Sequence, residues 1–215
     1  TNAPALPSTN LANECYYNMF SECSSLTIAP ELPATTLALG CYAFMFNFCS
    51  GLKKAPTLSA TTLAPACYRQ MFGFCDSLTN VPTLPATTLT SLCYQHMFYA
   101  CPGLTELPAL PATNLAETCY YFMFYNCTGI ELNTDAPGTP WSIPKDAIAT
   151  NNWNVNMFKD TGGTFKGDPQ IGTTYYYVLN NPTTPTFATD GTGFVVCDGN
   201  ASIKIDNAEI GAWYT

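Results

Sequence analysis

Apolar residues recur along the first 132 positions in a pattern that repeats every 26 residues. In the unit 26–51, one row of apolar side chains is spaced four residues apart, and a second row lies beside it. The first row is Leu37, Cys41, Met45 and Cys49, and the second is Ala38, Tyr42 and Phe46. Two neighbouring rows at this spacing are typical of the apolar stripe of an amphipathic helix. The second half of each unit is therefore predicted to be a short helix.

The first half of the unit predicts a very short strand followed by an extended turn. It carries Leu26, Ala29 and Leu32, with Pro30 and Pro33 between and after them. Proline removes a backbone donor, so a long strand cannot form there. Units of about this length bury a shared core by stacking on their neighbours. The expected fold is an α/β solenoid of 26-residue β-turn-α repeats, five copies plus a degenerate capping repeat.

The chain divides into three predicted regions. Residues 1–132 form the repeat array, and residues 133–170 form the capping repeat, where Met157-Phe158 recurs but Trp153 and Thr161 replace the two cysteines. Residues 171–215 form a small β-rich segment, because 174–179 has the pattern of a strand, and 193–197 and 201–205 have that of a hairpin.

Composition and charge exclude several kinds of partner. The net charge is −8 with only seven basic residues, whereas nucleic-acid binding needs clustered Lys and Arg. No apolar run approaches the ~20 residues that span a bilayer, so direct membrane insertion is not expected. Only 10% of residues are charged. No nucleophile lies beside a base and no carboxylate recurs in the repeats, so we expect no catalytic residue and no cofactor.

The eleven cysteines leave three alternatives. Interior cysteines in register usually behave as small buried hydrophobic residues, and this interpretation is favoured. Disulfides between stacked repeats are a second alternative, because the expected spacing is compatible with a bridge. Metal binding is the least favoured, because the Cys-x7-Cys spacing fits no zinc site and His96 is the sole histidine. His96 occupies a variable position, where a solvent-facing substitution is favoured over a functional role.

Positions that vary between the repeats are expected on the surface, and their aromatic residues form the candidate ligand face. These residues are Phe44, Phe48, Phe74, Tyr99, Tyr121, Phe122 and Tyr125. Such rings can stack on a sugar or bind a protein. Lateral packing of the rings on one another is the favoured alternative. A second candidate is the predicted concave face, with Lys53, Lys54, Asn80 and Glu106.

The repeat resembles the leucine-rich repeats of BspA-type bacterial surface proteins over residues 1–132. The motif that carries the resemblance is Leu-Pro-Ala-Thr-Thr-Leu-Ala-x-x-Cys-Tyr-x-x-Met-Phe-x-x-Cys-x-x-Leu-Thr. The turn Pro-Ala-Thr-Thr is longer than in the commoner family unit. The resemblance implies an exported protein at the bacterial cell surface, with its signal and anchor outside this sequence, and a role in adhesion.

The leading hypothesis is a non-enzymatic, exported binding or adhesion module that presents a rigid repeat surface to a protein or glycan ligand. We expect a monomer. A structural spacer that displays a neighbouring domain fits the regular repeats and the low charge equally well. An accessory part of a polysaccharide-acting system is less favoured, because glycosidases need two carboxylates at a set separation.

Overall fold

The repeats are built from turns, not from helices. The computed structural model describes residues 3–178, and within this range no residue is helical and strands are few and short. Six ten-residue segments consist of consecutive turns, at 13–22, 39–48, 65–74, 91–100, 117–126 and 151–160. They occupy the places where helices were predicted. The expected α/β leucine-rich-repeat solenoid of β-turn-α units is therefore wrong.

The backbone of every turn segment returns to positive φ at each fourth residue. Phe44 and Phe48 have φ of 59° and 58°, and Gly40 before them has 55°. The same three places are left-handed in the other segments, at Glu14, Asn18, Glu22, Ala66, Gln70, Phe74, Leu92, His96, Ala100, Thr118, Phe122, Asn126, Asn152, Asn156 and Asp160. A left-handed residue interrupts the i to i−4 hydrogen bonds of an α-helix. This regular interruption is why the predicted helices do not form.

Hydrogen bonds within a turn segment alternate between a local partner and a partner in the next repeat. The N–H of Met45 donates to the carbonyl of Tyr42, three residues back, at 3.2 Å. The next N–H, that of Phe46, donates to Met71 of the following repeat at 2.9 Å. The equivalent bonds between later repeats join Phe72 to Met97, Phe98 to Met123 and Phe124 to Met157. Such a segment therefore makes about as many backbone hydrogen bonds to the next repeat as it makes within itself.

The constant columns of the repeat form the core. Two residues point inward and the next two outward, so the Cys-Tyr and Met-Phe pairs enter the interior. From the second unit onward the Cys, Tyr, Met and Phe positions, together with Leu52, Leu78 and Leu104, are at most 2% exposed. The prediction that these columns fill the interior is confirmed for those units. In the first unit, Met19 is 45% exposed and Cys15 is exposed.

Two ladders of parallel rings run through this core. The tyrosine ladder joins Tyr16, Tyr42, Tyr68, Tyr94 and Tyr120, with ring centroids 5.7–6.0 Å apart. The phenylalanine ladder joins Phe20, Phe46, Phe72, Phe98, Phe124 and Phe158 at 5.3–5.7 Å. Each pair is an offset stack that contributes about 0.5–1.5 kcal/mol beyond its buried area. The ladders fix the register between the repeats.

The cysteines are free thiols, eight of them buried, among the ten in the described residues. The second cysteine of a repeat donates a hydrogen bond from its sulfur to the phenylalanine carbonyl of the preceding repeat. The Cys101 sulfur lies 2.9 Å from the Phe72 oxygen, which also accepts the N–H of Cys75. Cys49, Cys75 and Cys127 make the same bond to Phe20, Phe46 and Phe98. The favoured prediction of buried free thiols is confirmed for these eight, whereas Cys15 and Cys23 are exposed.

The proline-containing halves of the repeats join through a few parallel bridges. Isolated bridges pair Ile28 with Lys54, Leu32 with Leu58, Thr36 with Thr62 and Thr88 with Asn114. Full strands begin only at β1 (Asn114–Leu115), which pairs in parallel with β4 (Ile148–Ala149). The strand predicted for each repeat is thus reduced to single bridges, in keeping with the missing proline donors.

A four-stranded sheet follows the fifth repeat. Its strands are β2 (Glu131–Asn133), β3 (Thr139–Ser142), β5 (Gly162–Gly163) and β6 (Thr174–Val178), and their order in the sheet is β3, β6, β2, β5. Strand β6 runs antiparallel to β2 and β3, and β5 runs parallel to β2. The strand predicted at 174–179 is confirmed over Thr174–Val178, while the predicted hairpin at 193–197 and 201–205 lies outside the described residues.

The sixth turn segment, 151–160, stacks on the fifth repeat. The N–H groups of Tyr120 and Phe122 donate to Trp153 and Val155, so the offset grows from 25 to 33 residues. Residues 168–169 then bond to this segment: Asp168 accepts from the N–H of Met157, and Pro169 from the side chain of Asn154. The boundaries at 132 and 170 stay predictions.

Replacing Ala66 by glycine tests the left-handed backbone. Ala66 has a φ of 54° and is half-buried, so glycine there should raise the free energy of unfolding by a few tenths to about 1 kcal/mol. In an α-helix the same change would cost about 1 kcal/mol.

Ala64→Gly is the matched control, because Ala64 is also half-buried but does not have positive φ. It should lower the free energy of unfolding by about 0.5–1 kcal/mol in the same urea titrations. Equal losses for the two variants would contradict the turn geometry.

Candidate functional site

The last two outward pairs of the first five turn segments form one continuous surface, which we call the turn face. It is made of the positions 17–18 and 21–22 in the first unit and their equivalents 26 residues apart, through 121–122 and 125–126. All four columns vary in residue type between the repeats. The period of four places them outside because each inward pair is followed by an outward pair. The turn face therefore holds all seven aromatic residues of the predicted ligand face.

The rings on the turn face contact one another across the repeats. Phe48 and Phe74 are stacked at 4.3 Å, Phe74 and Tyr99 lie 5.2 Å apart, and Tyr99 and Tyr125 are stacked at 4.9 Å. A second group surrounds Phe122, whose centroid is 4.5 Å from that of Tyr121. The predicted lateral packing of the rings on one another is therefore present. Phe48 nevertheless stays 45% exposed, and the others, Phe44 included, are half-buried.

A polar patch interrupts the rings in the middle of the turn face, and sequence reasoning missed it. It consists of Asn47, Arg69, Gln70, Gln95 and His96. The Gln70 amide donates to the Asn47 oxygen at 3.3 Å, and the Arg69 guanidinium lies over the Phe44 ring, 5.5 Å from its centroid. The sequence did contain a signal for this patch, because columns that hold aromatic residues in the outer repeats hold Arg, Gln and Asn in the central repeats.

Gly73 makes room for the amide pair of this patch. A Cβ at this position would lie 2.7 Å from the Asn47 Oδ1 atom and 2.8 Å from the Gln70 Cγ atom. The same column carries Tyr99 and Tyr125 in the next two repeats. A glycine in place of a tyrosine thus lets the two amides lie over the backbone and opens a gap in the row of rings.

Three buried polar atoms of the polar patch have no hydrogen-bond partner among the described residues. They are Arg69 Nε, Gln95 Oε1 and His96 Nδ1. Over residues 3–178 only two other side-chain atoms share this condition, Tyr42 Oη and Thr90 Oγ1. An unsatisfied buried donor or acceptor costs about 1–3 kcal/mol, so such atoms are rare and their grouping calls for an explanation.

His96 was expected to face the solvent, but it is half-buried. Its ring contacts Tyr99 at 5.4 Å, Tyr121 at 5.7 Å and Phe122 at 5.2 Å. Burial, and then the positive charge of Arg69, lower the pKa of His96 to about 4. His96 is therefore neutral near pH 7, and Arg69 supplies the positive charge of the polar patch.

The alternative face, predicted as concave, lies on the side of the parallel bridges. Lys53, Lys54 and Glu106 are exposed there, and Lys54 pairs with Ile28 in a bridge. The Asn80 side chain is engaged, because its oxygen accepts the N–H of Ala55 at 2.9 Å. These residues do not form one cluster, because Glu106 lies two repeats from Lys54. Its carboxylate is near Tyr177, and burial, followed by this negative charge, raises the pKa of the Tyr177 phenol.

A groove of about 310 Å³ lies beside Trp141, and no sequence signal indicated it. The Trp141 indole is fixed by donating to the Pro108 carbonyl at 2.9 Å. The groove is lined by Leu107, Ala109, Leu110, Pro111, Pro140, Trp141, Ser142 and Tyr177. This lining is mostly apolar and lacks a base or a carboxylate.

The buried thiols are poor nucleophiles. Burial raises the pKa of Cys41 to about 11 and that of Cys127 to about 12, so neither is a thiolate near neutral pH. Within residues 3–178, no group of three or more His, Cys, Asp or Glu could hold a metal ion. The same range contains no helix that is long and apolar enough to cross a membrane.

No protein family, no curated protein and no solved structure matches the chain. The resemblance to BspA-type surface proteins therefore stays a prediction that rests on the repeat motif alone. The geometry offers a continuous surface of rings with a polar centre, and that surface is the candidate site.

The pKa of His96 can be measured by proton NMR, because His96 is the only histidine in the chain. Because the folded-state pKa of about 4 lies below the ordinary 6.5, the unfolded chain binds the proton first. Stability should therefore fall as the pH drops from about 6.5 towards 4. The His96 proton NMR signal should show no titration between pH 7 and 5.

His96→Phe is the control, because Phe44 and Phe122 occupy the same column. This variant should lose the part of the pH dependence that the histidine causes, measured as the difference in urea midpoint from the parent protein. A histidine signal that titrates near pH 6.5 would contradict the buried position.

Proposed function

We propose that this chain is a non-enzymatic binding module whose turn face docks a protein or glycan ligand, and that it acts at the bacterial cell surface. The observation that carries the proposal is the division of the repeat into two sets of positions. From the second unit onward the constant Cys, Tyr, Met and Phe positions are buried, whereas the aromatic residues at varying positions of the turn segments lie together on one surface, half-buried or exposed. A repeat that only served as a stack would need no such concentration of rings on one side.

The composition of the turn face suits recognition better than chemistry. Aromatic side chains provide a large contact area with few rotatable bonds and are enriched where proteins bind partners. The amides and the guanidinium of the polar patch provide directional hydrogen bonds between the rings. In the described residues this face contains no thiol, and its one carboxylate, Glu22, lies in the first repeat.

A structural spacer remains the second candidate, and one observation favours it. The rings of the turn face already stack on one another, as between Phe48 and Phe74 at 4.3 Å, so they stabilise the repeats without a ligand. Stacking and binding are compatible, because Phe48 keeps 45% of its surface exposed. The two functions can be distinguished by removing an exposed ring: in a spacer only the stability should change, whereas in a binding module ligand binding should weaken as well.

The test is a screen of the protein on glycan and extracellular-protein arrays, followed by two variants of the turn face. Phe48→Ala and Tyr121→Ala should each weaken binding of a ligand found there by about tenfold or more, because central aromatic contacts dominate binding energies. Lys53→Ala on the bridge face is the control and should bind like the parent protein.

Two results would overturn the proposal. Binding that is lost in Lys53→Ala but kept in both aromatic variants would place the site on the other face. If the parent protein binds nothing on either array, although cooperative unfolding shows that it is folded, the spacer is favoured.

A further inference from the structure

The centre of the turn face carries a cation that the described chain does not neutralise. The Arg69 guanidinium forms no ion pair and donates no hydrogen bond within residues 3–178. It lies over the Phe44 ring, 5.5 Å from the ring centroid. A planar guanidinium presents a fork of donors that matches a carboxylate in two parallel hydrogen bonds. The guanidinium is therefore placed to read an acidic group.

Polar groups that suit hydroxyls surround this cation. Gln95 is only 8% exposed, yet its Oε1 atom lacks a partner, and the neutral His96 ring has an unpartnered Nδ1 atom. The terminal torsion of a glutamine side chain is soft, so the amide can rotate at small cost to pair with a ligand. Amide and imidazole atoms pair with neutral hydroxyls, which both donate and accept.

Flat apolar surfaces lie on both sides of the polar patch. On one side, Phe44 lies under Arg69 and belongs to the repeat before it. On the other side, His96 contacts Tyr99 of its own repeat and Tyr121 of the next repeat. A sugar ring combines these requirements, because it has an apolar C–H face that covers an aromatic ring and hydroxyls around its edge. A sugar acid adds the carboxylate.

We propose that the polar patch binds a carboxylate-bearing sugar, with the carboxylate on the Arg69 guanidinium and the sugar hydroxyls on Gln70, Gln95 and His96. This proposal rests on the proposed function, since it names the ligand class of the same turn face. The net charge of −8 repels densely charged polymers at long range, so the site selects an isolated carboxylate and rejects a heavily sulfated chain.

The experiment compares matched sugars that differ only in the acidic group. The probes are sialyllactose and a glucuronic-acid disaccharide, each beside its carboxyl-reduced form, with a heparin fragment as the densely charged probe. The His96 proton signal reports binding locally, because this histidine is the only one in the chain. At least one acid should shift the signal and bind about tenfold more tightly than its reduced form, and heparin should not compete.

Variants assign the preference to the guanidinium. Arg69→Gln should abolish the difference between acid and reduced sugar, and Arg69→Lys should retain part of it, because the charge remains but the fork is lost. Lys53→Gln removes the same charge from the bridge face and should leave the difference intact. The comparison of acid with reduced sugar on the parent protein does not depend on whether any variant folds.

The possible failures are distinguishable. Equal binding of acid and reduced sugars, or an unchanged preference in a folded Arg69→Gln variant, overturns the acidic-sugar proposal. If these sugars do not bind while an array ligand is lost in Phe48→Ala, this proposal falls and the binding function stands. If the arrays are silent as well, both fall.

Discussion

The structure depends on one arrangement of backbone hydrogen bonds. In the first five turn segments every second N–H points to the next repeat, as Phe46 does to Met71, and the N–H groups between them close four-residue turns by donating to the carbonyl three residues back. The chain can alternate in this way because φ is positive at every fourth residue. Left-handed conformations cost roughly 1–2 kcal/mol at each non-glycine position, and the hydrogen bonds and ring ladders between the repeats offset that cost. No repeat has a complete set of hydrogen bonds by itself.

This constraint also determines where function can lie. A period of four divides each segment into inward and outward pairs, and across the five repeats the constant Cys, Tyr, Met and Phe residues occupy the inward pairs from the second unit onward, while the varying residues, some of them also buried, occupy the outward pairs. The inward Cys-Tyr and Met-Phe pairs tolerate little change in volume. The outward pairs form a surface on which the central repeats replaced rings with Arg69, Gln70 and Gln95. The proposed binding function and its acidic ligand both follow from that substitution of polar for aromatic residues.

The sequence allowed the period, the core columns and the outward aromatic residues to be predicted, but not the backbone that connects them. Leu37, Cys41 and Met45 were interpreted as a helical stripe, although residues four apart in a helix drift by about 40° at each step. A strict spacing of four, without steps of three, fits a four-residue turn better. Local propensity gave little warning, because most left-handed positions, such as Phe44, are not glycine. The polar patch was missed because Arg69 and Gln95 stand in different repeats and meet only after stacking.

The most direct measurement of this account is the scalar coupling across backbone hydrogen bonds in isotope-labelled protein. Such a coupling joins the amide nitrogen of a donor to the carbonyl carbon of its acceptor. The alternating hydrogen bonds predict a cross-peak between the nitrogen of Phe46 and the carbonyl of Met71, and another between the nitrogen of Phe72 and the carbonyl of Met97. Cross-peaks from these nitrogens to the carbonyls four residues earlier, at Tyr42 and Tyr68, would show an α-helix and contradict this arrangement.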